Sequence, residues 1–151
     1  MKGQIVYLDS SAMIKRYIKE TGSDYVRRTY LKCYSGDITL SCSIWNIGEV
    51  LGAFDRARMI SRIDDETYTI VKRRFLLEIR RMMRLGSLLI VPLKIRILKE
   101  SWKLIEKHHI YEADAIQIAS AKYVNSVEFL TGDRRLHEIA LKEGLRSKYL
   151  G

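Results

Sequence analysis

Four short runs rich in apolar β-formers, set between stretches of helical periodicity, constrain this sequence most. They are Ile5–Leu8, Ile38–Ser41, Leu88–Val91 and Val127–Leu130. A half-buried strand alternates apolar and polar residues, whereas these runs offer no clean polar face. Strands of that kind must be covered on both sides, so helices are expected above and below a mostly parallel sheet. The periodic stretches supply those helices over about 12–19, 23–33, 43–57, 64–85, 94–108, 111–123 and 133–143. Asp64-Asp65-Glu66 places acids where a helix dipole favours them, and Gly86 closes that long helix. Its packing stripe reads Tyr68, Val71, Phe75, Ile79 and Met82. Residues 43–57 show Ile44, Ile47, Leu51 and Phe54 at the same spacing, and the tail has room for a last short strand. The expected architecture is a three-layer α/β/α sandwich with a short, mostly parallel central sheet. With 151 residues and no linker, repeat or compositional break, the chain reads as one domain over 1–151.

Charge narrows the partners. Lys and Arg outnumber Asp and Glu by 27 to 18, a formal net charge of +9, which favours a polyanion such as nucleic acid or an anionic membrane surface. No apolar stretch approaches the length that spans a bilayer, and the N-terminal run is too short for a signal-peptide core. Cys33 and Cys42 are too few for a disulfide framework and read as buried thiols. A soluble cytoplasmic protein is expected.

Against that basic background, four carboxylates stand out. Asp9 follows Val6-Tyr7-Leu8 directly, and Asp133 follows Phe129-Leu130-Thr131-Gly132, so each ends an expected strand. Ligands of open parallel sheets gather at the carboxyl ends of the strands, although each Asp also suits a helix N-cap. Glu49 is the single charge among the twelve residues Ser43–Phe54, where a 30% charged chain would carry three or four. It sits off the apolar stripe, on a side with Trp45, Gly48 and Gly52 that suits close packing or a pocket edge. Asp114 shares a helix face with Ile118 and Ala121, an inward face on which an unpaired acid costs several kcal/mol. Glu112, by contrast, reads as an ordinary first-turn acid.

Four converging acids without matching histidines or cysteines indicate a hard divalent cation, Mg²⁺ or Mn²⁺, and phosphodiester hydrolysis by a metal-activated water. His108, His109 and His137 show no zinc spacing, and no phosphate-binding glycine loop is present. Arg56, Arg58, Arg62, Lys72, Arg73 and Arg74 offer a phosphate track, or simply the solvated faces of two helices. Trp45 and Trp102 fit core or interface positions better than base platforms.

Tyr7-Leu8-Asp9-Ser10-Ser11-Ala12, Ile47-Gly48-Glu49-Val50-Leu51, Ala113-Asp114-Ala115-Ile116-Gln117-Ile118-Ala119 and Phe129-Leu130-Thr131-Gly132-Asp133 together resemble the PIN-domain nucleases. The likeness is nearest to VapC-type toxins of prokaryotic toxin–antitoxin pairs, and it covers nearly the whole chain in order. The resemblance implies that Asp9, Glu49, Asp114 and Asp133 form an acidic quartet for Mg²⁺ or Mn²⁺, with a hydroxyl from Ser10 or Ser11 in support. It further implies a single-stranded RNA substrate, a cognate antitoxin and a homodimer. Arg134 and Arg135 stand where some relatives carry a further acid or amide, which leaves one metal or two open. The alternatives are an RNA-processing or repair nuclease without an antitoxin, and a catalytically silent RNA- or protein-binding module.

Overall fold

The computed structural model describes residues 3–151. In chain order the elements are β1 (Gln4–Leu8), α1 (Ser10–Ile14), α2 (Ser23–Tyr34), β2 (Ile38–Ser43), α3 (Ile44–Met59), α4 (Asp65–Arg84), β3 (Leu88–Val91), α5 (Ile95–His108), α6 (Glu112–Tyr123), β4 (Glu128–Thr131), α7 (Arg134–Lys142) and β5 (Ser147–Tyr149). The strands form one sheet in the order β3-β2-β1-β4-β5, and each of its four pairings is parallel. The tail strand expected from the sequence is β5, paired through Thr131 and Tyr149.

Alternate strand residues serve opposite faces. Leu8, Leu40 and Leu130 meet α1 to α4 through Met13, Val26, Val50, Phe54 and Phe75. Tyr7 and Phe129 meet α5 to α7 through Ile97, Leu104, Ile118 and Leu136, their own rings stacked at 5.6 Å. Both faces are covered, which is why the strands lack a polar side. Cys33 and Cys42 are free, buried thiols, and no helix among the described residues is long and apolar enough to cross a membrane.

Two local expectations need correction. The helix expected over 12–19 begins earlier, at Ser10, and stops at Ile14. Beyond it the chain continues in tighter turns, with Arg16 and Tyr17 donating backbone bonds three residues back, to Met13 and Ile14. The second correction concerns α3, whose buried residues are Asn46, Val50, Phe54 and Ala57, with Ile47 and Leu51 packed at the margin. Ile44 is exposed because the first turn of α3 stands at the rim of the sheet, beyond the core. The α4 stripe runs as expected: Val71, Phe75, Ile79 and Met82 are buried, and Tyr68 packs beside them.

Candidate active site

The carboxyl ends of β1 and β4 are neighbours, with Leu8 in register with Leu130, so the residues that follow each strand meet at one rim. Asp9 is buried there and its backbone N–H donates to Leu130 O at 3.2 Å. Its side chain does more than cap α1. Oδ1 accepts from Ala12 N at 2.9 Å and from Ser11 Oγ at 2.6 Å, and Oδ2 accepts from Thr131 Oγ1 at 2.5 Å.

Both hydroxyls also accept. Ser11 Oγ takes the Gly132 N–H at 2.8 Å, and Thr131 Oγ1 takes the Asp133 N–H at 3.0 Å. Two hydroxyl relays therefore tie the Asp9 carboxylate to the loop that carries Asp133. Thr131 is a member of this site that sequence reasoning passed over. The signal was available: a hydroxyl two residues before Asp133, at the last position of its strand.

Glu49 is placed by the start of α3. Ser43 caps the helix, Asn46 Oδ1 accepts the Ser43 N–H at 3.1 Å, and Asn46 Nδ2 reaches Leu8 O at 3.4 Å. That reciprocal cap fastens α3 to the end of β1, and Glu49 lies one turn further on. The side of α3 that carries it is open, since a Cβ added at Gly48 would meet nothing within 4 Å. Gly48 and Trp45 are exposed and Glu49 half-buried, so this side of α3 is not closely packed.

Asp114 is set by α6. Gln117, three residues on, accepts the fully buried Tyr7 hydroxyl at 2.7 Å, which seats the helix against the strand that leads into Asp9. Glu112 is held separately by Ser101 of α5, at 3.1 and 3.2 Å. Asp133 caps α7, accepting from Leu136 N at 3.1 Å, and is exposed.

The acids feel one another. Burial pushes the Asp9 carboxyl up to about 6; its hydrogen bonds oppose the rise, and the charge of Asp133 adds to it. Burial also raises Asp114, again with Asp133 adding. Glu49 is raised by burial and by Asp114, while Ser10, Trp45 and Arg56 favour its charged form. Ser11 thus serves the first acid and Ser10 the second. Among the described residues no three acids stand close enough together to form a ligand set; they act on one another in pairs, Asp9 with Asp133, Asp133 with Asp114, and Asp114 with Glu49.

The donor chemistry nevertheless fits a hard cation. Every group offered is a carboxylate or hydroxyl oxygen, and the acids carry mutual repulsion that a divalent charge would relieve. Asp9 Oδ2 holds a single protein hydrogen bond and retains a lone pair.

The basic candidates divide. Arg56 lies beside Glu49, and with Arg62 it lines a cavity next to the rim. Arg62 is paired with Glu20 at 3.1 Å. Arg58 is paired with Asp55 and lies 4.2 Å over the Tyr68 ring, which Lys72 approaches at 5.9 Å. Arg74 stands 5.8 Å over Tyr17, and Arg73 is exposed on α4. Trp45 and Trp102 are 43% and 51% exposed, so neither is a core residue.

Comparison with known proteins supplies the lineage. Among solved structures, FitAcB from Neisseria gonorrhoeae superposes with a TM-score of 0.67 at 13% identity, covering 94% of this chain and 95% of its own. Mycobacterium tuberculosis VapC20, described as a sarcin-ricin loop cleaving toxin, gives 0.62 at 12%, covering 87% and 92%. VapBC2 from Rickettsia felis, bound to a DNA fragment from its promoter, gives 0.62 at 15%, covering 97% and 99%. At such identities these likenesses establish the fold. No curated protein matches the sequence. The family model described as PIN domain matches residues 6–142, a span that holds all four acids, and the chain accordingly belongs to the PIN domain family.

Proposed function

We propose that the protein is a divalent-metal-dependent endoribonuclease that hydrolyses single-stranded RNA, and that it is the toxin of a toxin–antitoxin pair. The observation that carries the nuclease reading is the buried Asp9 with the half-buried Glu49 and Asp114, all three raised, at the rim of a basic protein. Structural acids are neutralised by cations; these are raised chiefly by burial, with a neighbouring acid adding to each. Asp9, Glu49, Asp114 and Asp133 would hold Mg²⁺ or Mn²⁺. Such an ion supplies Lewis acidity, lowering the pKa of an attacking water and offsetting charge on the phosphate. The chain's own part is positional: Ser11 and Thr131 orient Asp9, the Asn46 cap sets Glu49, and the Tyr7–Gln117 bond seats the helix of Asp114.

Support for the toxin reading comes from the neighbours, which include toxin–antitoxin complexes from Rickettsia felis and Klebsiella pneumoniae. An antitoxin partner, a homodimer and a cytoplasmic location belong to the same proposal. The silent-module reading draws on one observation, that Asp9 and Asp133 both serve as helix caps.

One experiment separates the two. Labelled single-stranded RNA is incubated with the protein in Mn²⁺, in Mg²⁺ or in EDTA, with Asp9→Asn and Asp114→Asn beside the wild type. We expect metal-dependent cleavage that falls at least about a hundredfold in either variant, with the folded circular dichroism spectrum retained. Undiminished cutting by either variant would remove the site.

A further inference from the structure

The acid rim does not end at Glu49. A cavity of about 490 Å³ opens beside it between α1 and the second half of α3, within the size range of ligand pockets. Ser11 and Gly132 line the cavity at its acid end, the same two residues that bond each other beneath Asp9. Ile14 forms part of one wall and Ala53 and Ile60 the other. Positions 49, 53, 56 and 60 recur at helical spacing, so a single stripe of α3 carries the acid, the small apolar wall, a guanidinium and the apolar lip.

Arg56 stands where the rim and the cavity meet. A Cβ added at Gly52 would lie 3.4 Å from its Nη1, an ordinary contact, so the guanidinium folds back along α3 over position 52, and its charge favours the ionised form of Glu49. Arg62 lines the same cavity and is braced by Glu20. Lys15 lends no free charge to the cavity. It is buried, and its ammonium is used on Thr21 O at 2.6 Å, Gly151 O at 2.8 Å and Glu20 Oε1 at 3.1 Å, which fixes the far wall in place.

We propose that this cavity is a nucleobase subsite: it takes one unstacked base of the RNA next to the phosphate that is cut, while Arg56 binds a backbone phosphate at the mouth. The inference rests on the ribonuclease reading above and names a substrate contact that reading leaves open. Three features select this occupant. Ile14, Ile18, Ala53 and Ile60 give a mixed lining its larger, apolar share, which suits the faces of a planar base, while the Glu20 carboxylate in the lining is taken up by Lys15 and Arg62. Arg56 at the mouth presents a guanidinium that complements a phosphate. The cavity is also continuous with the rim at which hydrolysis would occur. A base stacked in a duplex cannot enter, so the subsite gives a physical basis for selecting single strands.

The test uses the full chain and a short fluorescein-labelled single-stranded RNA, either intact or with one abasic nucleotide stepped along it. Binding is read by anisotropy in EDTA and cleavage in Mn²⁺. An abasic nucleotide at one position flanking the cut should weaken binding by about tenfold. Ala53→Trp, which fills the cavity, should weaken binding of the intact RNA by a similar factor. On that abasic RNA it should add nothing, whereas at other abasic positions the two losses should multiply. Ile60→Ala, which removes the apolar lip at an exposed position without adding charge, should reproduce the pattern if Ala53→Trp fails to fold. Equal losses on every RNA, or binding unchanged by either variant, would overturn the subsite. Absence of cleavage with the binding pattern intact would instead overturn the nuclease reading and leave the subsite standing.

Discussion

Single residues show how one chemical group serves two ends. Glu78 of α4 is as secluded as the site acids, yet its neighbours neutralise it. Arg16 donates two bonds at 3.0 Å, and the hydroxyls of Tyr17 and Tyr34 donate at 2.8 and 2.7 Å. Burial pushes its carboxyl up, and these donors outweigh the burial and hold it below the usual glutamate range. Glu143 is handled in the same way: Lys107, Lys122 and His108 overcome burial and carry it down to about 2. Asp9 has no such cation, and the charges of Arg56 on Glu49 and Arg135 on Asp114 do not outweigh burial, so all three are raised. The sign of the shift thus separates two acids held by cations from the three that the proposed reading assigns to a ligand. Glu78→Gln should cost about 2–4 kcal/mol of stability, because the Arg16 charge is left half-buried and unpaired. Urea unfolding would measure that loss, and the metal-dependent cleavage rate per folded molecule should stay unchanged. A loss below about 0.5 kcal/mol would show that the network carries little.

At the level of elements, junctions matter more than lengths. The capping box at Ser43 and Asn46 and the Tyr7–Gln117 bond fix two helices to β1, and each helix brings an acid to the rim. The start of α2 shows a junction closed by the absence of a side chain. Gly22 has φ +89°, and a Cβ there would lie 2.6 Å from Leu150 O and 2.9 Å from Leu150 Cβ. Gly22→Ala should therefore destabilise by about 2–3 kcal/mol, through both the left-handed backbone and the clash beyond β5. A thermal melt would show the drop; an unchanged midpoint would mean that the C-terminal segment yields freely. The shortening of α1 belongs to the same level. Turns after Ile14 bring Arg16 and Tyr17 onto Glu78, a tertiary demand that no local pattern in the sequence contains.

For the whole molecule, the two classes of acid predict opposite responses to pH. The folded protein holds a proton on Asp9 up to about pH 6, whereas the unfolded chain releases it near its ordinary value of 3.8. Ionising Asp9 across that window therefore weakens the fold as pH rises, and raised Glu49 and Asp114 act in the same direction. Lowered Glu78 and Glu143 do the reverse. Their stabilisation is present above the ordinary glutamate pKa and is lost as pH falls below it, for Glu143 toward about 2. In EDTA the protein should be most stable near about pH 5. On the proposed reading Mn²⁺ binds the ionised acids, so it should raise the melting temperature by several degrees at about pH 7.5 and by much less at about pH 5. Melts across pH with and without Mn²⁺ check both signs. A midpoint that climbs steadily from about pH 4 to 7 in EDTA would sink the argument.

Period and punctuation alone determined much of this protein. Strand runs without a polar face required cover on both sides, and acids directly after Leu8 and shortly after Leu130 had to fall on one rim once their strands lay parallel. Glu49 was legible as the single charge among the twelve residues Ser43–Phe54, and Asp114 as an acid on an inward face. What only the tertiary structure decided is which partners meet these groups across the chain. Thr131 reaches Asp9 over 122 positions, Arg16 meets Glu78 over 62, and Arg56 rather than Arg58 turns toward Glu49. Local pattern assigns a residue to a face of its own element. Pairing, burial and the shape of the cavity arise between elements, where sequence separation carries no distance information and packing selects the contacts.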